Sequence, residues 1–483
     1  METLKKTFYL LALLSLLTIS FSCKKDDPVS PDPTPDPTVT ANKNINSWIL
    51  DNMQTYYLWN DQIPSTTDKT LNPSDYFNSL LSSEDRFSWI QENFTDLLNL
   101  LSGVQMEAGY DFTVGVKNSS EIIGIINYVK PNSPASKAGL KRGDFFHTVN
   151  GTTLTTDNAN DILNNDLSSP HTLGIVDFDL NPIKTVSLSV TEYAEDPLLL
   201  DTVYNIAGEK IGYLVYNFFA EDGGDNTNAY IKELNTIFSQ FKTTDINELI
   251  LDLRYNGGGS LTTCSELSSM ISNRNESDIF NLFQYNAVLD QAFKKQEGAN
   301  YNKSYFANNI EKLDSKGNVT ESVPINKLTN LNRLFVITSG RTASASEDLI
   351  NGLKAYMDVI LIGETTYGKN VASITIYETD PEKQKTNKWG MQPIIVKVAN
   401  AKNFSDFGNG FTPDVEISEY LNLPLEPLGD TNEPVLSAAL AQMGVANAPA
   451  SLRASRENTF VPAYSSIDKT PVRRNAVLPT IKK

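Results

Sequence analysis

Histidine and cysteine are almost absent: the 483-residue chain has two of each, His147 and His171, Cys23 and Cys264. Four such residues cannot build a disulfide framework or a Cys/His zinc cage, so no metal site is expected. Positive charge is short as well, with 40 Lys+Arg against 58 Asp+Glu and a formal net charge of -18. That sign opposes a phosphate backbone, which excludes nucleic acid as an expected partner. What is present is 40% hydrophobic, 10% aromatic and 20% charged residues. This is enough apolar material for packed cores, without the uniform apolarity of a membrane bundle. The length calls for roughly three domains. Catalysis, if there is any, must run on hydroxyls, carboxylates, lysines or backbone dipoles, and no cofactor is expected.

Lys5 and Lys6 precede an apolar run from Phe8 to Leu17, and small and polar residues lead to Phe21-Ser22-Cys23. Residues 1–22 read as a secretory signal peptide, too short to span a bilayer. Cys23 resembles the lipidated cysteine of bacterial lipoproteins, which implies an envelope, outer-membrane protein held to the membrane through that lipid alone. Residues 23–41 read as the lipidated cysteine and a linker, since Pro28 to Thr38 alternates Pro with Asp, Ser and Thr and favours extended polyproline II.

Residues 42–102 carry Ile45, Trp48, Ile49, Met53 and Tyr56 at helical spacing, and Pro73 opens a second amphipathic stretch, so a small helical domain is expected. Residues 103–195 change to short β-branched runs broken by Gly, Pro and Asn, a β-rich module. From 200 to 445, strand-like runs (211–216, 249–253, 334–338, 359–362) alternate with helical ones (229–241, 266–271, 346–356), which predicts an α/β core. The stretch 273–331 is polar without one clear period and reads as an excursion over the surface. Residues 446–483 read as a flexible basic tail, with a docked strand as the lesser alternative.

Three stretches of the core carry chemistry. Gly257-Gly258-Gly259 follows the strand run 249–253, where backbone N–H groups can face a cleft and hold an oxyanion; a tight strand-to-helix turn explains the glycines equally well. Ser339 to Glu347 crosses from a strand into a helix with small residues around Ser344, which suits a nucleophile but also an ordinary helix cap. Gly363 to Asn370 nearly spells a phosphate-binding loop. That reading is rejected, because Val371 to Tyr377 is strand-like where a P-loop must open a helix. Lys369 is then a side chain aimed by a strand-turn-strand. With both histidines far upstream, lysine is the base that remains. To be neutral near pH 7 its pKa must fall by about 3 units.

Asp252-Leu253-Arg254-Tyr255-Asn256-Gly257-Gly258-Gly259, Ser344-Ala345-Ser346-Glu347 and Gly363 to Lys369 together resemble the C-terminal processing peptidases, the tail-specific serine proteases of family S41. The resemblance implies a mixed α/β multidomain chain: a small N-terminal helical domain, a PDZ-like module and an S41-type, ClpP/crotonase-like core. It implies Ser344 as nucleophile, Lys369 as general base, and the N–H groups of Ala345, Gly258 and Gly257 as oxyanion hole. Some members orient the lysine with Asp or Gln; Ala355 and Ser373 stand at those places, so Ser373 is the substitute orienting group. Val129 to Asp144 followed by Val149-Asn150-Gly151 resembles a PDZ core, which places Phe112-Thr113-Val114-Gly115 at the carboxylate-binding loop, with Thr113 in place of a glycine. Polypeptides are the implied substrates, cut through an acyl-enzyme. The alternative is a noncatalytic PDZ-type peptide-binding lipoprotein.

Overall fold

The computed structural model describes residues 37–117, 121–314, 316–445, 460–466 and 476–477. Cys23 and its flanks lie outside the described residues. Among those described, no helix is long and apolar enough to cross a membrane.

Near-continuous apolar strand runs build the central layer. Glu209–Tyr216, Glu248–Asp252, Arg333–Thr338 and Asp358–Gly363 pair in parallel in that order. Leu198–Ile206 adds antiparallel at one edge and Val415–Glu416 in parallel at the other. Leu214, Leu249, Leu251, Leu334, Val336 and Leu361 face one side with the buried stripes of Ala229–Thr244, Leu261–Ile271 and Ala345–Lys354. Tyr213, Val215, Ile250, Phe335, Ile337 and Ile362 face the other, under Pro434–Met443. A parallel sheet covered on both faces needs apolar residues at every position, which is why Leu249 to Leu253 reads as a continuous run.

A second sheet stands beside the first, in the order Gly259–Ser260, Ala476–Val477, Val371–Ser373, Ile394–Asn400, Ile279–Tyr285, Lys303–Tyr305. Its strand 279–285 corrects the expected surface excursion: Phe280 and Phe283 are buried in the main core. Buried Asn281 hides the period, because its amide donates to Asp348 at 2.8 Å and so tolerates an interior position.

The N-terminal helices do not form a core of their own. The helix begins at Pro37, inside the expected linker, and runs to Tyr56. Its Ile49 and Met53, with Tyr57, Tyr76, Phe77 and Leu80, belong to the same buried cluster as Leu214 and Leu249. Trp89–Gln91 then pairs antiparallel with Gly390–Gln392 in a small three-stranded sheet with Ile376–Tyr377, and Ser88 Oγ accepts from the Ile394 N–H of the second sheet at 2.8 Å, which clamps the segment around residue 85.

The β-rich module is a sheet in the order Val461–Ser465, Tyr110–Lys117, Glu121–Val129, Phe145–Val149, His171–Val176, Pro182–Leu188, with its own core around Ile126, Phe146, Val149 and Leu173. Two expectations are corrected here. Residues 112–115 form no loop; they sit mid-strand in 110–117, because Phe112 and Val114 alternate into that core. The tail is not wholly loose: 461–465 is a strand of this sheet, secured by Phe460, which is 5% exposed among Ile123, Ile125 and Phe145.

Candidate active site

Ser344 is the residue before the helix Ala345–Lys354 and has φ 65°, a left-handed conformation that a non-glycine residue adopts at a cost of about 1–3 kcal/mol. The turn is held from several sides. Ser339 Oγ donates to the Arg254 carbonyl at 2.5 Å, Thr342 Oγ1 to the Leu253 carbonyl at 2.8 Å, and Ser346 Oγ to the Asn256 carbonyl at 3.0 Å. Ser346 is therefore occupied with structure. The Ser344 hydroxyl, in contrast, is buried at the helix cap facing the Glu347 N–H, without a well-formed hydrogen bond among the described residues. An orphaned buried hydroxyl on a strained turn calls for a functional explanation.

Glu347 ties this turn to the lysine loop. Its Oε2 accepts from the backbone N–H of Ser344 at 2.9 Å and from that of Lys369 at 2.8 Å. One oxygen thus holds both backbones, no farther apart than those two bonds laid end to end. Oε1 accepts from Gly368 N–H at 2.8 Å and Thr366 Oγ1 at 2.5 Å. Burial pushes the Glu347 carboxyl up, against the four donors that favour its charged form.

Lys369 is 1% exposed, with Nζ 4.8 Å from the centroid of the Phe87 ring. Burial lowers its amine to about 7, while the charges of Asp85 and Glu347 hold it from falling further. Burial is thus the cause that acts in the direction the sequence required. Ser373 is fully buried and donates from Oγ to Gln392 Oε1 at 2.8 Å; Gln392 in turn donates to Thr375 Oγ1 at 2.6 Å.

The glycine turn faces the serine. Gly258 has φ +111°, and a Cβ there would stand 2.7 Å from Ser344 Cβ and 3.0 Å from Ala345 N. Its N–H donates to Asn256 Oδ1 at 2.9 Å, so as an oxyanion donor it would first have to leave that side chain. Ala345 N–H opens a helix, where no intrahelical acceptor is available to it, and Gly257 is buried in the same turn. Gly258→Ala is expected to lower kcat on the order of 10²-fold by displacing the serine turn, as steady-state kinetics on a folded variant would show.

The Asp-Leu-Arg stretch acts as scaffold. Buried Arg254 pairs with Asp252 at 2.8 Å and with Glu433 at 2.7 Å, fixing the strand end from which the glycines depart. Arg341, three residues before Ser344, reaches Glu419 at 2.7 Å and Asp111 of the β-rich module at 3.2 Å. Glu419, packed among Arg142, Arg341 and Arg254, overcomes its burial to sit at about 2.

The structure therefore brings together Ser344, Ala345, Gly257, Gly258 and the Lys369 backbone, while Ser373 lies in the strand that follows Lys369 and is bonded to Gln392. Phe112 to Gly115 stand on the neighbouring module, joined to the core where Tyr420 donates to Thr113 Oγ1 at 2.7 Å. Sequence reasoning missed Asp85, Arg86 and Phe87. Arg86 donates to the Gly368 carbonyl at 2.7 Å across 282 residues, and nothing local signals such a contact. Glu347 was visible only as part of a motif, although Ser followed three residues later by Glu is a helix-start pattern that marks it as an N–H acceptor.

Residues 210–417 match the model of peptidase family S41, residues 44–89 that of the peptidase S41 N-terminal domain, and residues 125–176 that of the PDZ domain. A carboxy-terminal-processing protease of Bartonella bacilliformis is 25% identical over 62% of this chain and 59% of that protein, so the match leaves two fifths of that relative uncovered. The carboxy-terminal processing protease CtpB of Bacillus subtilis is 23% identical over 69% of each chain. A crystal structure from Bacteroides fragilis assigned to the S41 proteases superposes with a TM-score of 0.65 at 27% identity, covering 87% of this chain and all of that one. With the S41 N-terminal domain ahead of a PDZ domain and the S41 core behind it, the chain belongs to peptidase family S41.

Proposed function

We propose that the protein is a serine endopeptidase that hydrolyses unfolded or tail-exposed polypeptides through a Ser344–Lys369 dyad. The observation that carries this reading is the shared Glu347 oxygen, which fixes a strained serine with an orphaned hydroxyl beside a lysine whose amine sits near neutrality. In the reaction, Ser344 Oγ attacks the scissile carbonyl as Lys369 Nζ accepts its proton. The oxyanion is received by Ala345 N–H and the glycine turn. The lysine ammonium then protonates the leaving amine, and water delivered against the neutral amine hydrolyses the acyl-enzyme. Ser373, backed by Gln392, orients the lysine in this scheme. The names of the relatives and the PDZ module favour substrates presented by their carboxy-terminal ends.

Incubating the pure protein with a reduced, carboxymethylated polypeptide tests this: internal fragments in the mass spectrum are the expected result. A polypeptide left whole after prolonged incubation would contradict the reading. We further propose attachment to the bacterial outer membrane through Cys23. Palmitate labelling in a Gram-negative host is expected to mark the wild-type chain and to vanish in Cys23→Ala; equal labelling of both would rule the anchor out.

A further inference from the structure

The C-terminal segment adds a strand at two places, on an edge of the β-rich module and beside the serine and lysine turns. Val461–Ser465 lies antiparallel on the edge of 110–117, with Pro462 opposite Gly115 and Ser465 opposite Thr113. Ser466 Oγ accepts from Phe112 N–H at 3.1 Å and donates to Asp111 Oδ2 at 2.5 Å. Arg341, which leads into the serine turn, donates to Ser465 Oγ at 3.4 Å. Further on, Ala476–Val477 lies parallel to Gly259–Ser260, the strand that leaves the glycine turn, and Val477 also pairs with Ser373 of the strand that follows Lys369.

The sheet order makes the second contact telling. Among the described residues, 476–477 are the sole link between 259–260 and 371–373 in that sheet. Without them two strand edges, one from the oxyanion side and one from the lysine side, would face each other across a gap one strand wide, about 10 Å. Such facing edges take up an extended chain by backbone hydrogen bonding, whatever its sequence. Ser344 and Lys369 are each 1% exposed with the tail in place. Charge favours the docking: residues 451–483 hold seven Lys/Arg against two acids, in a chain of net charge -18.

We propose that the chain's own C-terminal segment is the resident occupant of both strand-addition sites, the module edge and the groove beside the dyad, and that an extended polypeptide substrate must displace it. This rests on the peptidase reading for the identity of the competitor. Tethering makes the tail a strong rival, since a short linker holds it at an effective concentration on the order of mM.

The test uses the full chain with a site for a specific protease inserted between Val445 and Phe460, cut after folding and freed of its tail by gel filtration, with intact mass as the check. In a Ser344→Ala background, a fluorescent unstructured polypeptide is expected to bind at least about tenfold more tightly after release, and synthetic peptide 460–483 to reverse the gain. With Ser344 present, kcat/KM is expected to rise by a similar factor. Phe460→Asp, which loosens the tail without removing it, is expected to raise hydrogen exchange at 461–465 and to give part of the same gain. Equal affinity before and after release overturns the proposal, even if the intact protein cuts peptides. A gain in affinity with no cleavage in any form supports the resident tail and removes the peptidase reading instead.

Discussion

Ser344→Ala is expected to lower kcat by at least about 10⁴-fold, the scale on which loss of a catalytic nucleophile is felt, with the fold and melting temperature essentially unchanged. The Ser344 hydroxyl makes no well-formed hydrogen bond among the described residues, only the loose helix-cap contact with Glu347, so its removal should cost little stability. Ser346→Ala separates chemistry from architecture. That hydroxyl anchors to the Asn256 carbonyl, and its loss should cost about 1 kcal/mol of stability while leaving a measurable fraction of activity. Single-turnover kinetics and thermal unfolding of both variants check the pair. If Ser344→Ala retained activity within tenfold of wild type, another group would have to be the nucleophile.

Lys369→Met is expected to abolish activity to a similar degree and, at the same time, to stabilise the protein. An amine near 7 in the folded state and 10.5 when unfolded means that the unfolded chain binds more protons between those values. Folding stability from this group therefore grows as pH rises through that window and is missing below it. At pH 7.5 the burial of Lys369 costs on the order of 4 kcal/mol, which an apolar side chain of similar length removes. A variant both inactive and higher-melting, with the gain shrinking toward pH 10, is the expected outcome. Lys369→Arg should not restore activity, because a guanidinium cannot give up its proton near neutrality. Asp85→Asn withdraws one of the charges that favour the ammonium, so it should lower the amine further and move the active range toward acid.

The sequence made the central sheet legible because its strands bury both faces and are separated by helices of clear period. The dyad was legible because serine, lysine and glycine turn each follow a strand at the same end of a parallel sheet, where the loops gather. What escaped is long-range. Asp85, Arg86 and Phe87 shape the lysine's surroundings from a segment clamped by backbone pairing of 89–91 with 390–392, and a pairing of that kind leaves no local trace. The resemblance puts residues 112–115 in a loop, although the alternation of Phe112 and Val114 is a strand pattern. The docked tail is hard to read from sequence because a five-residue strand with a proline, Val461 to Ser465, looks like an edge or no strand at all.

The central claim is a lysine held neutral, and the pH dependence of kcat/KM on an unstructured peptide tests it most directly. The expected result is a rate that rises with a single break near pH 7 and is level above about pH 8, with the break displaced downward in Asp85→Asn. A rate that instead keeps climbing toward pH 10, as an ordinary solvent-exposed amine would dictate, or that ignores pH between 6 and 8, would contradict it.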